Sequence, residues 1–243
     1  MKTTNIRSQA FIFTLLVLNI LLACPLANAN QTNEYIALND REESSSLGTY
    51  EEVYSWYEKG NDLYSQRDYI KAISAYEQAI KIDPSFDLAF NAKGWALREL
   101  QDYGKALNAF DQAISINPDS FAHWQGKGNV LYYMGRFEES LSAYNTALDI
   151  NPDSHNSMAG KGWALGRLNK YELALAAFDS ATDRDSRLDN YWSGKGWILY
   201  ELNRYPQARV ALNKALELNP NDRFSRYYLG LIEKGSQANN ISF

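Results

Sequence analysis

Three triplets, Gly126-Lys127-Gly128, Gly160-Lys161-Gly162 and Gly194-Lys195-Gly196, set a lysine between two glycines, as in loops whose backbone amides cradle phosphate. They lack what that chemistry needs. Glycine follows each lysine where a serine or threonine would ligate magnesium, and each triplet lies inside a helical pattern whose amides are already bonded. The two histidines, His123 and His155, have no carboxylate or cysteine at metal-ligand spacing and no nucleophile to activate. Both are expected at the surface. The acidic pairs Glu51-Glu52 and Glu138-Glu139 stand where helices should start, and the helix dipole favours carboxylates there. The sequence therefore points to no catalytic residue, no metal ligand and no cofactor. What remains is chemistry of contact, carried by tryptophan and tyrosine.

The elements that must position those rings are repeated. Glycine recurs at residues 60, 94, 128, 162, 196 and 230, each 34 residues after the last. Each copy can be numbered from Val53, Asp87, Phe121, His155 and Asp189. Place 4 is then Trp56, Phe90, Trp124, Met158 or Trp192; glycine holds place 8 and leucine place 11. Alanine holds place 20 (Ser140 in the third copy) and place 27. Place 24 is Tyr76, Phe110, Tyr144, Phe178 or Leu212. Steps of i, i+4 and i+7 put each trio on one face of a helix. Pro84, Pro118, Pro152 and Pro220 stop the second helix, with Ser186 at that place in the fourth copy. Each copy is thus a pair of helices brought close by small residues. Such a unit cannot bury its apolar face alone and must stack on its neighbours.

This pattern resembles the tetratricopeptide repeat family over residues 53–220, as five full copies, with a sixth first helix from Arg223 to about Lys234. The resemblance implies an all-α solenoid of antiparallel helix pairs, five repeats plus a C-terminal capping helix over residues 53–234. It also implies a non-catalytic protein-interaction scaffold whose partner lies in a concave groove lined by places 2, 5, 9 and 12 of the first helices. With place 4 as zero and about 100° per residue, those places fall between about +80° and +160°, beside the packing face. Here they carry Tyr57, Tyr64, Asn91, Trp95, Arg98, Asn129, Tyr132, Trp163, Trp197 and Tyr200, with Phe224, Tyr227 and Leu231 of the sixth copy on the same line. Tryptophan and tyrosine offer large contact area at low entropic cost. The competing reading is that the rings pack on neighbouring helices. At place 7 the family prefers leucine, whereas this chain has Lys59, Lys93, Lys127, Lys161 and Lys195. Their stems should cover the repeat junctions while the amines reach water. Some members capture chaperone C-termini with a lysine at place 5 and an asparagine at place 9. Asn61 is accompanied by Tyr57 and Asn129 by Gln125, so that activity is not carried over.

Residues 1–29 read differently. Lys2 and Arg7 precede an apolar run of about fourteen residues, too short to span a bilayer, and Ala27-Asn28-Ala29 has the small residues of a signal-peptidase site. Export to the periplasm, cell envelope or exterior is expected, with the mature chain starting near Asn30. The alternative is lipid attachment at Cys24, within Leu21-Leu22-Ala23-Cys24, and a membrane tether. Residues 30–52 read as a polar leader and 235–243 as a tail. Removing residues 1–29 takes away two basic residues and no acid, so the net charge of −5 becomes −7. An acidic chain without a basic block argues against nucleic acid, and a single cysteine permits no internal disulfide. Three functions stay open: a scaffold for a protein or peptide partner, a polysaccharide-binding envelope module, and a self-associating stack.

Overall fold

The computed structural model describes residues 48–240, with side chains to residue 234. The expected signal peptide, its cleavage site, Cys24 and most of the leader lie outside the described residues, as do the side chains of the tail. The chain divides into two compact units, residues 1–54 and 55–243. Of the first, residues 48–54 are described. They are helical, and the rings of Tyr50 and Tyr54 lie 4.4 Å apart.

Among the described residues there are eleven helices and no strand. They are α1 (48–65), α2 (Tyr69–Ile82), α3 (Asp87–Glu99), α4 (Tyr103–Ile116), α5 (Phe121–Tyr133), α6 (Phe137–Ile150), α7 (His155–Arg167), α8 (Tyr171–Arg184), α9 (Asp189–Glu201), α10 (Tyr205–Leu218) and α11 (Arg223–Asn240). Two helices per copy, with boundaries repeating at the sequence period, make this the α-solenoid expected. The first helix starts ahead of Val53, with Glu51 and Glu52 in its opening turns where carboxylates suit the dipole. The last continues past Lys234.

Each first helix ends the same way. Arg67, Gln101, Gly135, Asn169 and Asn203, all at place 15, have φ between 58° and 75°. The amide after each reaches back to the leucine carbonyl at place 11, as in Asp68 N to Leu63 O at 2.9 Å and Lys170 N to Leu165 O at 2.9 Å. This is the left-handed closure that satisfies otherwise orphaned carbonyls, and only one copy uses glycine for it. Four of the five second helices end in an Asx turn. The side chains of Asp83, Asn151, Asp185 and Asn219 accept from the amide two residues on, at 2.8–3.1 Å. That turn persists at Asp185, where Ser186 replaces proline. The Arg187 side chain also bonds this carboxylate and helps to hold it low, at about 2.

The ring at place 24 sets the spacing of the stack. Phe110 lies between Gly94 of its own repeat and Gly126 of the next, Tyr144 between Gly128 and Gly160, and Phe178 between Gly162 and Gly194. A Cβ at Gly126 would stand 2.2 Å from the Phe110 ring, and one at Gly160 2.2 Å from that of Tyr144. The glycine–lysine–glycine triplets are therefore seats for two successive place-24 side chains, both rings in the first two triplets, and Phe178 and Leu212 in the third. First helices of consecutive repeats also touch, α3 on α5, α5 on α7, α7 on α9 and α9 on α11, whereas consecutive second helices make no comparable approach. The first helices thus form the tighter side.

Candidate functional site

All ten residues expected on the first-helix face are half-buried. Place 9 is held from beneath by place 24 of the same repeat, and the two types change together. Where place 9 is asparagine, place 24 is tyrosine: the Tyr76 hydroxyl donates to Asn61 at 2.9 Å, and that of Tyr144 bonds Asn129. Where place 9 is tryptophan in the second and fourth repeats, place 24 is phenylalanine. Trp95 meets Phe110 edge-on at 5.5 Å and Trp163 meets Phe178 at 5.4 Å. The asparagines of this face have a structural duty that sequence reasoning missed, although the paired variation was its signal.

From the first to the third repeat the face is a polar network centred on Arg98. Its Nε donates to Asn129 Oδ1 at 3.0 Å, one terminal nitrogen to Glu99 at 2.5 Å and the other to the Tyr133 hydroxyl at 3.3 Å. The guanidinium also lies over the rings of Tyr133 (4.9 Å) and Trp95 (5.9 Å). Burial alone would lower its pKa, but Tyr133, Glu99 and Tyr64 outweigh burial and raise it. The Tyr64 hydroxyl reaches Glu99 at 3.5 Å; burial, then the Glu99 charge, raises its pKa. Tyr57 meets Phe86 edge-on at 5.3 Å, and Asn91 lies one turn before Trp95. Tyr132 packs on Phe137, and burial raises its pKa against the lowering effect of Arg167. Tyr133 is 50% exposed and stacks on Tyr103 at 5.7 Å. Glu99 and Tyr133, both at place 13, were not expected at the site; their place lies outside the stripe drawn from a single helix.

From the fourth repeat onward the same places hold rings against rings. Trp163 and Trp197 stack at 5.4 Å and 19°. Phe224, two repeats beyond Trp163, meets its edge at 5.6 Å and packs on Tyr228, which meets Tyr200 at 5.2 Å. Trp197 covers Gly166 at place 12 of the previous repeat, where a Cβ would stand 2.6 Å from the indole, and its Nε1 donates to Glu201 at 3.0 Å. The rings are half-buried at both ends but differ in what they touch: other rings at the C-terminal end, a guanidinium and polar side chains around Arg98.

The histidine expectation is corrected for one residue. His123 is fully buried, because place 3 lies on the seam between repeats, where Ala89, Ser157, Tyr191 and Ser225 are buried too. Its Nε2 lies 2.9 Å from Asp87 Oδ2, which also accepts from Asn117 at 2.8 Å. His155 is half-buried, with Nδ1 2.8 Å from the hydroxyl of Tyr191, whose pKa burial pushes up to about 12. The lysine row is corrected in its amines. Lys93, Lys127 and Lys195 pair with Glu77, Asp111 and Asp179 at 2.6–2.8 Å, each carboxylate at place 25 of the preceding repeat. Lys59, Lys127 and Lys195 also lie over the tryptophan at place 4. Among the described residues no group of three histidine, cysteine or acidic side chains could hold a metal, and no helix is long and apolar enough to cross a membrane.

A tetratricopeptide repeat family profile matches residues 57–121, 125–189 and 159–223. No curated protein matches the chain by sequence. Several solved structures share its fold. PilF of Pseudomonas aeruginosa superposes with a TM-score of 0.70 at 16% identity, over 79% of this chain and 88% of that one. TTC0263, a thermophilic TPR protein of Thermus thermophilus, gives 0.62 at 20% identity, over 73% and 97%. YrrB, described as a TPR protein with an unusual peptide-binding site, gives 0.57 at 18% identity, over 76% and 95%. At such identities the likeness is one of fold.

Proposed function

The chain belongs to the tetratricopeptide repeat family, and on that footing we propose that it is a non-catalytic protein-interaction scaffold, taking an extended or helical segment of a partner along the first-helix face of the first three repeats. The observation that carries this is the contrast between the two ends of that face. Around Arg98 the half-buried rings lie beside an ion-paired guanidinium and the 50%-exposed Tyr133, whereas at the other end ring packs on ring. Tyr57, Tyr64, Trp95, Tyr132 and Tyr133 supply apolar faces to a partner's side chains, while Arg98, held by Glu99 and Asn129, fixes the position of Tyr133. The proposed setting is outside the cytoplasm, with cleavage after Ala29 and lipid attachment at Cys24 as the alternative; both rest on the sequence of residues 1–29. The N-terminal mass of the chain recovered from its own cells decides between them.

Affinity purification from those cells tests the binding face. A protein captured by the wild type should be lost from Arg98→Ala/Tyr133→Ala and retained by Tyr227→Ala, which alters an exposed ring (62%) at the other end. Retention by the double variant would move the site elsewhere. Tryptophan quenching by envelope polysaccharide, with no protein captured, would replace this reading with the glycan one.

A further inference from the structure

One repeat junction departs from its sisters at two places together. At the junctions that Lys93, Lys127 and Lys195 span, the lysine at place 7 meets a carboxylate at place 25 of the preceding repeat. In the third and fifth repeats a tryptophan at place 4 also fills the space beside it, its indole donating to the carbonyl of Pro118 (2.8 Å) or Ser186 (2.9 Å) in the turn before. At the junction of the third and fourth repeats both features are missing. Place 25 is Asn145 and place 4 is Met158. Of the five place-7 lysines, Lys161 alone has neither a carboxylate nor a ring against its amine among the described residues.

The consequence is a recess of about 540 Å³ between α6 and α8, walled by Leu141, Leu148, Met158, Leu165 and Leu173, with Lys161 on its wall and Lys170 at the edge. Leu173 is 60% exposed there. The corresponding recess at the second repeat, where Phe90 stands at place 4, is smaller, about 370 Å³, and its lysine is already held by Glu77 at 2.6 Å. An apolar hollow lined by two lysines, neither of them in an ion pair among the described residues, is the complement of an anion with an apolar body. Its volume falls within the roughly 300–1,000 Å³ of small-molecule sites. At both adjoining junctions the larger Trp124 and Trp192 stand where Met158 stands here, their indoles bonded to the preceding turn.

We propose that this recess binds a small amphipathic carboxylate, an alkyl-chain acid whose head group stands on Lys161 in place of the missing aspartate and whose chain lies on the leucines and Met158. The scaffold would then carry a ligand site independent of its partner-binding face. Calorimetric titration of the full chain with dodecanoate, below its micelle concentration, tests this. One site per chain is expected, with dodecanol binding at least about tenfold more weakly. Asn145→Asp, which installs the carboxylate of the sister junctions, should weaken dodecanoate binding by about tenfold or more. Met158→Trp, which installs the sister tryptophan, should abolish it. Thermal unfolding confirms that each variant is folded, and if Met158→Trp is not, Asn145→Asp decides alone. Absence of binding, equal binding of the alcohol, or unchanged affinity in Asn145→Asp would overturn the proposal. So would capture of an acidic apolar peptide by a chain that ignores dodecanoate.

Discussion

The Arg98 neighbourhood and the Trp163–Trp197 neighbourhood occupy the same places of successive repeats, yet one is a polar network around a guanidinium and the other is filled with the protein's own rings. In the first, Trp95 rests on one buried ring and turns its other side toward Arg98. In the second, Trp163 is bounded by Phe178, Trp197 and Phe224. A tryptophan at a family's recognition place is therefore no sign of recognition by itself. What matters is whether another ring arrives from two repeats away, and Phe224 does so only at the C-terminal end. There ring packs on ring; around Arg98 the rings meet a guanidinium and polar side chains, and that is the end proposed for a partner.

That contrast can be attacked from either side. The largest effect is expected from Phe178→Ala, which removes a fully buried ring from beneath Trp163 and between two glycines. It should cost about 3–5 kcal/mol in denaturant unfolding. Trp163→Ala should cost about 2–3 kcal/mol and Trp95→Ala about 1 kcal/mol, because each aromatic pair contributes about 0.5–1.5 kcal/mol and Trp163 has three ring partners. Equal losses would erase the distinction between the two ends. Asn61→Ala leaves the buried Tyr76 hydroxyl without its acceptor and should cost about 1–3 kcal/mol, most of it restored by adding Tyr76→Phe. Failure of that rescue would mean that place 9 is not held through place 24.

Acid should act on the C-terminal end. Asp222 precedes α11 and accepts from Ser193 at 2.6 Å and from the amides of Phe224 and Ser225. Burial alone would raise its pKa, but these hydrogen bonds outweigh burial and hold it below the ordinary carboxylate value. A depressed folded pKa means stabilisation that is present above the unfolded pKa and lost as pH falls through the folded one. Asp222→Asn should thus lose under about 1 kcal/mol at neutral pH and flatten the decline in stability below about pH 4, read from melting temperature against pH. Arg98→Ala should change stability least, by less than about 1 kcal/mol, since its contacts are partly exposed, while abolishing partner capture. A large loss of stability would make Arg98 a structural residue like those of the other end.

Much of this was legible in the chain. Helix pairing, the five copies and the first-helix stripe follow from the 34-residue period and the steps within it. Other features were not. The left-handed closures at Arg67, Gln101, Asn169 and Asn203 carry no glycine, so the turn is silent in four copies of five. Nor was the role of Gly126, Gly160 and Gly194 legible, because the ring each one seats comes from the preceding repeat. His123 looked like a surface residue because its helix gives no hint that place 3 meets Asp87 of the neighbour.

Helical steps are local, fixed by 3.6 residues per turn, so sequence alone determined which residues share a face and that the copies must stack. Which faces end up covered depends on how successive pairs dock, and that is set by rings in glycine seats between repeats. Only the tertiary structure could show that Phe224 packs on Trp163, that Arg98 gathers Glu99, Asn129 and Tyr133, and that Lys161 lacks the carboxylate that Lys93, Lys127 and Lys195 have. Each of those contacts joins residues of different helices, and the angle between helices is decided by packing, not by the order of the chain.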